Sequence, residues 1–275
     1  MNTLNKKTVF ITGASRGIGR QIALACARQG ANIVIAAKSD TPHPKLPGTI
    51  HTVAEEVRAA GGQALPLVLD VRDEEQIKKR IDEAAEHFGG IDALINNAGA
   101  IRLAGVEKLK VSRFDLLHQV NARAVMACSQ AALPWLKQSE RGHILSMSPP
   151  LNMDPKWFAH FGPYTSTKYA MTMISIGMAQ EFKRYGIAVN TLWPKTVIAT
   201  AAIQHEAGGE QLMAQGRKPD IMADAAVSIL NRTVDELTGQ NLIDEDVLRE
   251  GGETDFERYR YKAGDKPLLP DLYLD

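Results

Sequence analysis

The sequence predicts a doubly wound α/β fold: one parallel sheet between two layers of helices, in a single domain of 275 residues. Three observations predict it. Short apolar runs rich in β-branched residues alternate with longer amphipathic stretches along the chain. The runs are almost continuously apolar, as strands covered on both faces must be. A glycine-rich turn, "TGASRGIG" at 12–19, joins the first run to the first amphipathic stretch. Right-handed crossovers follow from the alternation.

The elements follow in order. "TVFIT" (8–12) is the first strand, and a helix is expected over 17–29. "NIVIAA" (32–37) is the second strand, followed by an extended loop, "SDTPHPKLPGT" (39–49), with three prolines. A helix over 51–61, the strand "ALPLVL" (64–69), a helix over 73–88 and the strand "DALIN" (92–96) come next. A long helical pattern covers 112–138, ahead of the strand "HILSM" (143–147). The helix over 163–185 opens at Gly162-Pro163, because the fixed φ of proline suits a first helical turn. "IAVNTLW" (187–193) is the sixth strand, and an insert over 197–219 with a Gly-Gly pair reads as a lid. A helix over 220–231 and the strand "NLI" (241–243) complete a domain expected to run over 1–249. The tail, 250–275, has few periodic apolar positions and is expected to pack irregularly on the body or on a partner subunit.

Composition excludes several classes of function. Acids and bases balance at 32 each, so no net field recruits nucleic acid or an anionic membrane. No apolar run reaches the roughly 18 residues of a membrane span. The amino-terminal stretch enters a strand pattern without an export signal, and the chain ends "YLD" rather than Ser-Lys-Leu, so a cytoplasmic protein is expected. The seven histidines show no metal-ligand spacing. Cys26 and Cys128 fall in helical patterns and read as small buried hydrophobes.

The glycine turn sets the cofactor expectation. Gly13, Gly17 and Gly19 would let the backbone approach a pyrophosphate at a helix N-terminus, with Ser15, Arg16 and Ile18 completing the turn. An acid at the end of the second strand would select NAD through the ribose 2′-hydroxyl. Here "IAAKSD" places Lys38 at that position, and Arg16 is a second cation nearby. Two cations favour a 2′-phosphate, hence NADP(H) over NAD(H).

"YTSTK" (164–168) puts Tyr164 and Lys168 four residues apart on one helical face. A free tyrosine has a pKa of about 10 and donates a proton at neutral pH but scarcely accepts one. An ammonium within about 4–6 Å favours the phenolate, which brings the pKa toward the range of acid–base catalysis.

Together, "TGASRGIG", "LDV" (69–71), "NNAG" (96–99), Asn121 in "HQVNARAVM" and "YTSTK" resemble the short-chain dehydrogenase/reductase family over nearly the whole chain. The resemblance implies a Rossmann-fold oxidoreductase moving a hydride between nicotinamide and the carbonyl or alcohol of a small apolar substrate. It implies Tyr164 as general acid/base and Lys168 as a ligand of the nicotinamide ribose that lowers the phenol's pKa. Asp70 would accept from the adenine amino group, Asn97 would lie by the cofactor ribose, and Asn121 would bend its helix and hold a relay water. Because such long helices form oligomer interfaces in that family, the resemblance also implies a homodimer or homotetramer.

Two positions depart from the family pattern. The usual carbonyl-polarising serine falls on Pro149, which has no hydroxyl, so Ser148 is the candidate if the segment shifts locally. "WPKT" (193–196) puts Lys195 where glycine is usual, either as a ligand of an anionic substrate group or as a solvated lysine. Trp157, Phe158 and Phe161 precede Tyr164 and would wall an apolar pocket or pack in the core. A catalytically weak NADP(H)-binding sensor, or a structural protein acting mainly as a subunit, on the same fold is the competing expectation.

Overall fold

In the computed structural model, which describes residues 4–44, 46–206, 208–264 and 266–274, one parallel sheet runs through the molecule. Its strands are β1 (Thr8–Thr12), β2 (Asn32–Ala37), β3 (Gln63–Val68), β4 (Ala93–Asn96), β5 (His143–Ser146), β6 (Ala188–Trp193) and β7 (Asn241–Ile243). Their order is β3-β2-β1-β4-β5-β6-β7, every pairing is parallel, and each predicted strand appears within a residue of its expected bounds. Pro66 is tolerated because β3 is an edge strand, where a missing ladder donor is harmless. The expected loop, insert and tail each contain positions outside the described residues: 45, 207, 265 and 275.

The helices are α1 (Gly17–Ala27), α2 (Ile50–Ala59), α3 (Glu74–Phe88), α4 (Val111–His118), α5 (Ala124–Leu136), α6 (Lys156–Ala159), α7 (Gly162–Phe182), α8 (Ala201–Glu206), α9 (Gly209–Met213), α10 (Asp220–Leu230) and α11 (Asp244–Glu250). The single helix expected over 112–138 is divided by a π-helical turn, Gln119–Arg123, with Asn121 at its centre. α8 and α9 lie in the insert that reads as a lid. α11 lies in a stretch where no helix is expected; Asp244, Glu245 and Asp246 in its first turn suit the positive end of the helix.

The strand pleat sorts the core into two layers. Val9 and Ile11 of β1 pack with α1, α2 and α10 on one face, and Phe10 between them packs with α3, α5 and α7 on the other. Cys26 and Cys128 are buried one in each layer, and burial pushes both thiols up to about 12. Between β1 and β4 the winding reverses, which opens a crevice at the carboxyl ends of the strands. A third, smaller cluster of Leu117, Tyr164, Tyr169, Trp193 and Tyr273 lies apart from both layers.

Candidate active site

The glycine turn is held tightly from behind. Gly13 and Gly17 have φ of +67° and +57°, the left-handed region that glycine enters without strain. A Cβ on Gly13 would lie 2.8 Å from Ala98 Cα, and one on Gly19 would lie 2.4 Å from Asn97 Nδ2. Asn97 Nδ2 donates to the carbonyls of Thr12 (2.9 Å) and Gly13 (3.1 Å). The Asn97 amide thus braces the turn. Ser15 is buried, Ile18 is partly buried, and no side chain caps the N-terminus of α1. An uncapped N-terminus reached through glycines is what a pyrophosphate requires.

At the end of β2, Arg16 Nη2 donates to Ser39 Oγ (2.9 Å) and Gly48 O (3.1 Å), and its Nε donates to Pro47 O (3.1 Å). The guanidinium is thereby fixed beside Ser39 by the proline-rich loop. Lys38 is largely exposed and lies 4.0 Å from Asp70, whose carboxylate also pairs with Arg72. The hydrogen bond from Arg72, with Lys38 adding to it, holds Asp70 below its ordinary carboxylate range.

Asn121 is fully buried in the π-helical turn. Its Oδ1 accepts from Ala100 N (2.8 Å), and its Nδ2 donates to Ala100 O (3.0 Å) and Thr167 Oγ1 (2.9 Å). The bend is as expected, but this side chain is engaged by protein and ties the loop after β4 to α7.

Tyr164 and Lys168 are both buried on α7. Lys168 Nζ donates to Met147 O at 2.6 Å and lies 5.1 Å from the Trp193 ring centroid. Burial lowers the ammonium to about 8, with Asp271 opposing the fall. Burial pushes the Tyr164 phenol well above its ordinary value, and Tyr273 and Asp271 add to the rise. Lys168 is not among the groups that shift the phenol, and its ammonium is bonded to the Met147 carbonyl.

Ser148 is not brought to the crevice. Its hydroxyl is fully buried, in a hydrogen bond with Thr172 Oγ1 on α7 (3.0 Å). The local shift that would present it does not happen. Lys195 is half-solvated, and its Nζ pairs with Glu245 (3.0 Å) and Asp246 (3.6 Å) at the head of α11. Glu245 also pairs with Arg217 and Arg249. Burial works to raise the Glu245 carboxyl, and hydrogen bonds from Lys195, Arg249 and Arg217 outweigh it, holding it at about 2.

The aromatic wall is filled by the chain itself. Tyr273 is 1% exposed, and its ring centroid lies 5.6 Å from Trp157, 5.2 Å from Tyr169 and 5.9 Å from Trp193. Tyr273 and its neighbour Asp271 escape a reading of the sequence, although "LPDLYL" (269–274) stands out as an apolar run in a polar tail. Among the described residues no group of three or more metal-ligating side chains occurs. The residues present fit a nicotinamide dinucleotide: a glycine-lined, uncapped helix start, a fixed guanidinium beside it, and a buried Thr196 hydroxyl without a partner after β6.

Comparison with known proteins agrees with this geometry. The model of the short chain dehydrogenase family matches residues 7–210. The chain is 53% identical over 268 residues to Hydroxysteroid dehydrogenase-like protein 2 of Bos taurus, covering 98% of this chain and 63% of that protein, so it spans less than two thirds of the relative's length. A short chain dehydrogenase from Mycobacterium thermoresistibile superimposes with a TM-score of 0.93 at 47% identity, covering 99% of this chain and 96% of that one. A short chain dehydrogenase from Burkholderia cenocepacia, solved in complex with NADP, superimposes with a TM-score of 0.75 at 28% identity, covering 87% of this chain and 96% of that one. With its winding reversal, its glycine turn and its buried tyrosine–lysine helix, this chain belongs to the short chain dehydrogenase family.

Proposed function

We propose that the protein is an NADP(H)-dependent oxidoreductase that reduces the carbonyl of a small apolar substrate, with Tyr164 as the general acid/base. The observation that carries this reading is a buried tyrosine and lysine one turn apart on α7, in the same fold as an uncapped glycine turn. NADPH, when bound, supplies the hydride. The turn residues Gly13, Ser15, Arg16, Gly17, Ile18 and Gly19 would hold its phosphates, Lys38 and Arg16 its 2′-phosphate, Asp70 its adenine and Lys168 its nicotinamide ribose. Asn97 and Asn121 would keep the turn and the catalytic helix in place.

Tyr164 donates its proton to the substrate oxygen as the carbonyl carbon is reduced. Its raised pKa keeps the phenol protonated at neutral pH, the form that donates to the substrate oxygen. The aromatic side chains around Tyr164 exclude water and favour an apolar substrate. Among the described residues no helix is long and apolar enough to cross a membrane, which supports a cytoplasmic place. Met126 on α5 and Met173 and Ile176 on α7 are exposed apolar side chains that support assembly as a dimer or tetramer through these helices.

A second reading has a specific observation in its favour. With Ser148 bonded to Thr172 and Pro149 lacking a hydroxyl, the usual carbonyl donor is missing, as in a protein that binds NADP(H) without turning it over. Titration with NADPH, beside cofactor oxidation with aldehydes, ketones and acyl thioesters, separates the two. Turnover that Tyr164→Phe abolishes while NADPH still binds is the expected result. Binding without turnover across the panel, or turnover surviving in Tyr164→Phe, overturns the oxidoreductase assignment.

A further inference from the structure

The gap at the serine position is met by a different polar group, carried on the last residues of the chain. Asp271 N donates to Lys195 O at 3.1 Å, Trp193 Nε1 donates to Leu272 O at 2.9 Å, and Pro270 forms a bridge with Thr196. The segment 270–272 therefore lies along the carboxyl end of β6, on the crevice side of the sheet. Beyond it, the Tyr273 hydroxyl lies 3.4 Å from Thr165 Oγ1, one residue after Tyr164, and Asn152 Nδ2 donates to Tyr273 O at 3.2 Å. Asp271 is thus pinned from both sides, between the end of β6 and the first turn of α7.

The residue keeps a partly exposed surface, while packed protein surrounds its carboxyl closely enough to desolvate it. Leu272 N donates to Oδ1 at 2.7 Å, and among the described residues Oδ2 has no hydrogen-bond partner. The ionisable groups whose charges act on it or feel its charge are Lys168 and Tyr164 from α7, Asp244 from the head of α11 and Tyr273 on its own segment. The Lys195 ammonium is turned to Glu245 and Asp246, and the Lys168 ammonium to the Met147 carbonyl. No cation therefore closes on Oδ2.

We propose that Asp271 is a catalytic residue whose carboxylic acid donates a hydrogen bond from Oδ2 to the substrate's carbonyl oxygen, the task left open where the family's serine is missing. This rests on the oxidoreductase reading and deepens it: the oxygen that Tyr164 protonates is held by a carboxyl brought from the far end of the chain. Asp271 keeps its proton throughout, so the hydride and the Tyr164 proton balance the reduction unchanged. Burial, with Asp244 adding to it, pushes the carboxyl up to about 7, while Leu272 N and Lys168 pull the other way. The donor is present below that pH and is lost above it, where a carboxylate would repel the developing negative charge. A buried acid kept neutral so that it can donate is a known means of stabilising such an oxygen.

The test has two readouts. Without cofactor or substrate, ¹³C NMR of protein labelled at the aspartate side-chain carboxyls identifies Asp271 as the resonance missing from Asp271→Asn. A titration midpoint near 7 is expected. A midpoint in the ordinary range, about 4, overturns the proposal. With NADPH and the aldehyde and ketone panel, wild-type kcat/KM is expected to fall as pH rises through about 7. Asp271→Ala should lower it by about 100-fold below that pH, the scale of one lost oxyanion donor. Asp271→Asn, which keeps an N–H donor, should recover most of that loss and flatten the inflection. A wild type that turns over while Asp271→Ala matches it, or an inflection that survives in Asp271→Asn, overturns Asp271 alone. A wild type that binds NADPH and reduces nothing overturns the oxidoreductase reading and this assignment together.

Discussion

Ser148 Oγ lies 3.0 Å from Thr172 Oγ1, and both hydroxyls are fully buried between the end of β5 and α7. Thr172 Oγ1 is also 2.6 Å from Pro149 O, so it keeps a partner if Ser148 is removed. The pair fastens the strand end to the helix that carries Tyr164. Ser148→Ala is therefore expected to leave kcat within about twofold and to lower stability by about 1 kcal/mol, the net worth of one hydrogen bond. Steady-state kinetics beside denaturant unfolding checks this. A hundredfold loss of kcat would return Ser148 to the reacting centre.

Gly19→Ala tests the bracing of the glycine turn. The new Cβ would meet Asn97 Nδ2 at 2.4 Å and Gly13 O at 2.8 Å, and Asn97 holds the turn through Thr12 O and Gly13 O. The expected cost is about 1–3 kcal/mol of stability, with at least a tenfold loss of NADPH affinity. Thermal unfolding and isothermal titration measure the two effects. An alanine variant that binds NADPH like wild type contradicts the role given to the turn.

Arg16 should discriminate between cofactors. Its guanidinium is fixed beside Ser39. Arg16→Ala is expected to weaken NADPH binding by about ten- to hundredfold, as loss of a charge-assisted hydrogen bond does, while NADH binding changes little. Equal weakening of both cofactors would sink the assignment of the 2′-phosphate to this site.

The cations around Glu245 divide by burial. Arg217 and Glu245 are 7% and 6% exposed in their side chains, and Lys195 is 44% exposed. Glu245→Ala leaves Arg217 buried without its carboxylate and should cost about 3–5 kcal/mol. Lys195→Ala removes a half-solvated partner and should cost at most about 1 kcal/mol. Calorimetric unfolding of the two variants is expected to rank them in that order; a larger loss for Lys195→Ala contradicts it.

His143 sets an acid limit on stability. At the start of β5 it is buried, and burial, with Arg141 adding to it, lowers its pKa to about 4 against an ordinary 6.5. Between those values the unfolded chain binds the proton and the folded one does not, so stability falls as pH drops from 6.5 toward 4 and levels off below. The difference corresponds to about 3 kcal/mol. Carboxyls raised by burial, Asp271 and Asp244 among them, titrate in the same window with the opposite sign, so urea unfolding should show the His143 slope as the difference between wild type and His143→Gln. An unchanged slope in the variant would contradict the buried neutral imidazole.

How much was legible follows from the kind of signal each element carries. β1, β2, β4, β5 and β6 are buried throughout, and their bounds hold to a residue because burial on both faces writes itself into consecutive positions; the edge strands β3 and β7 are only partly buried but still stand out as short apolar runs. The break of the 112–138 helix at Asn121 is not legible from periodicity, since a π-helical turn inserts one residue without changing the apolar pattern around it. α11 is missed because seven residues of mostly charged sequence show too little periodicity to be told from a loop.

By itself the sequence determined the strands, the glycine turn and the placing of Tyr164 and Lys168 on one helical face. Each depends on residues close together along the chain, where backbone geometry dictates which side chains share a surface. Only the tertiary structure decided that Ser148 turns to Thr172, that Lys168 reaches the Met147 carbonyl, that Lys195 pairs with Glu245, and that Asp271 and Tyr273 come back to Tyr164 from the far end. Those are contacts between groups tens to more than a hundred residues apart. Their partners are chosen by packing, desolvation and charge in the folded state, and spacing along the chain carries no record of them.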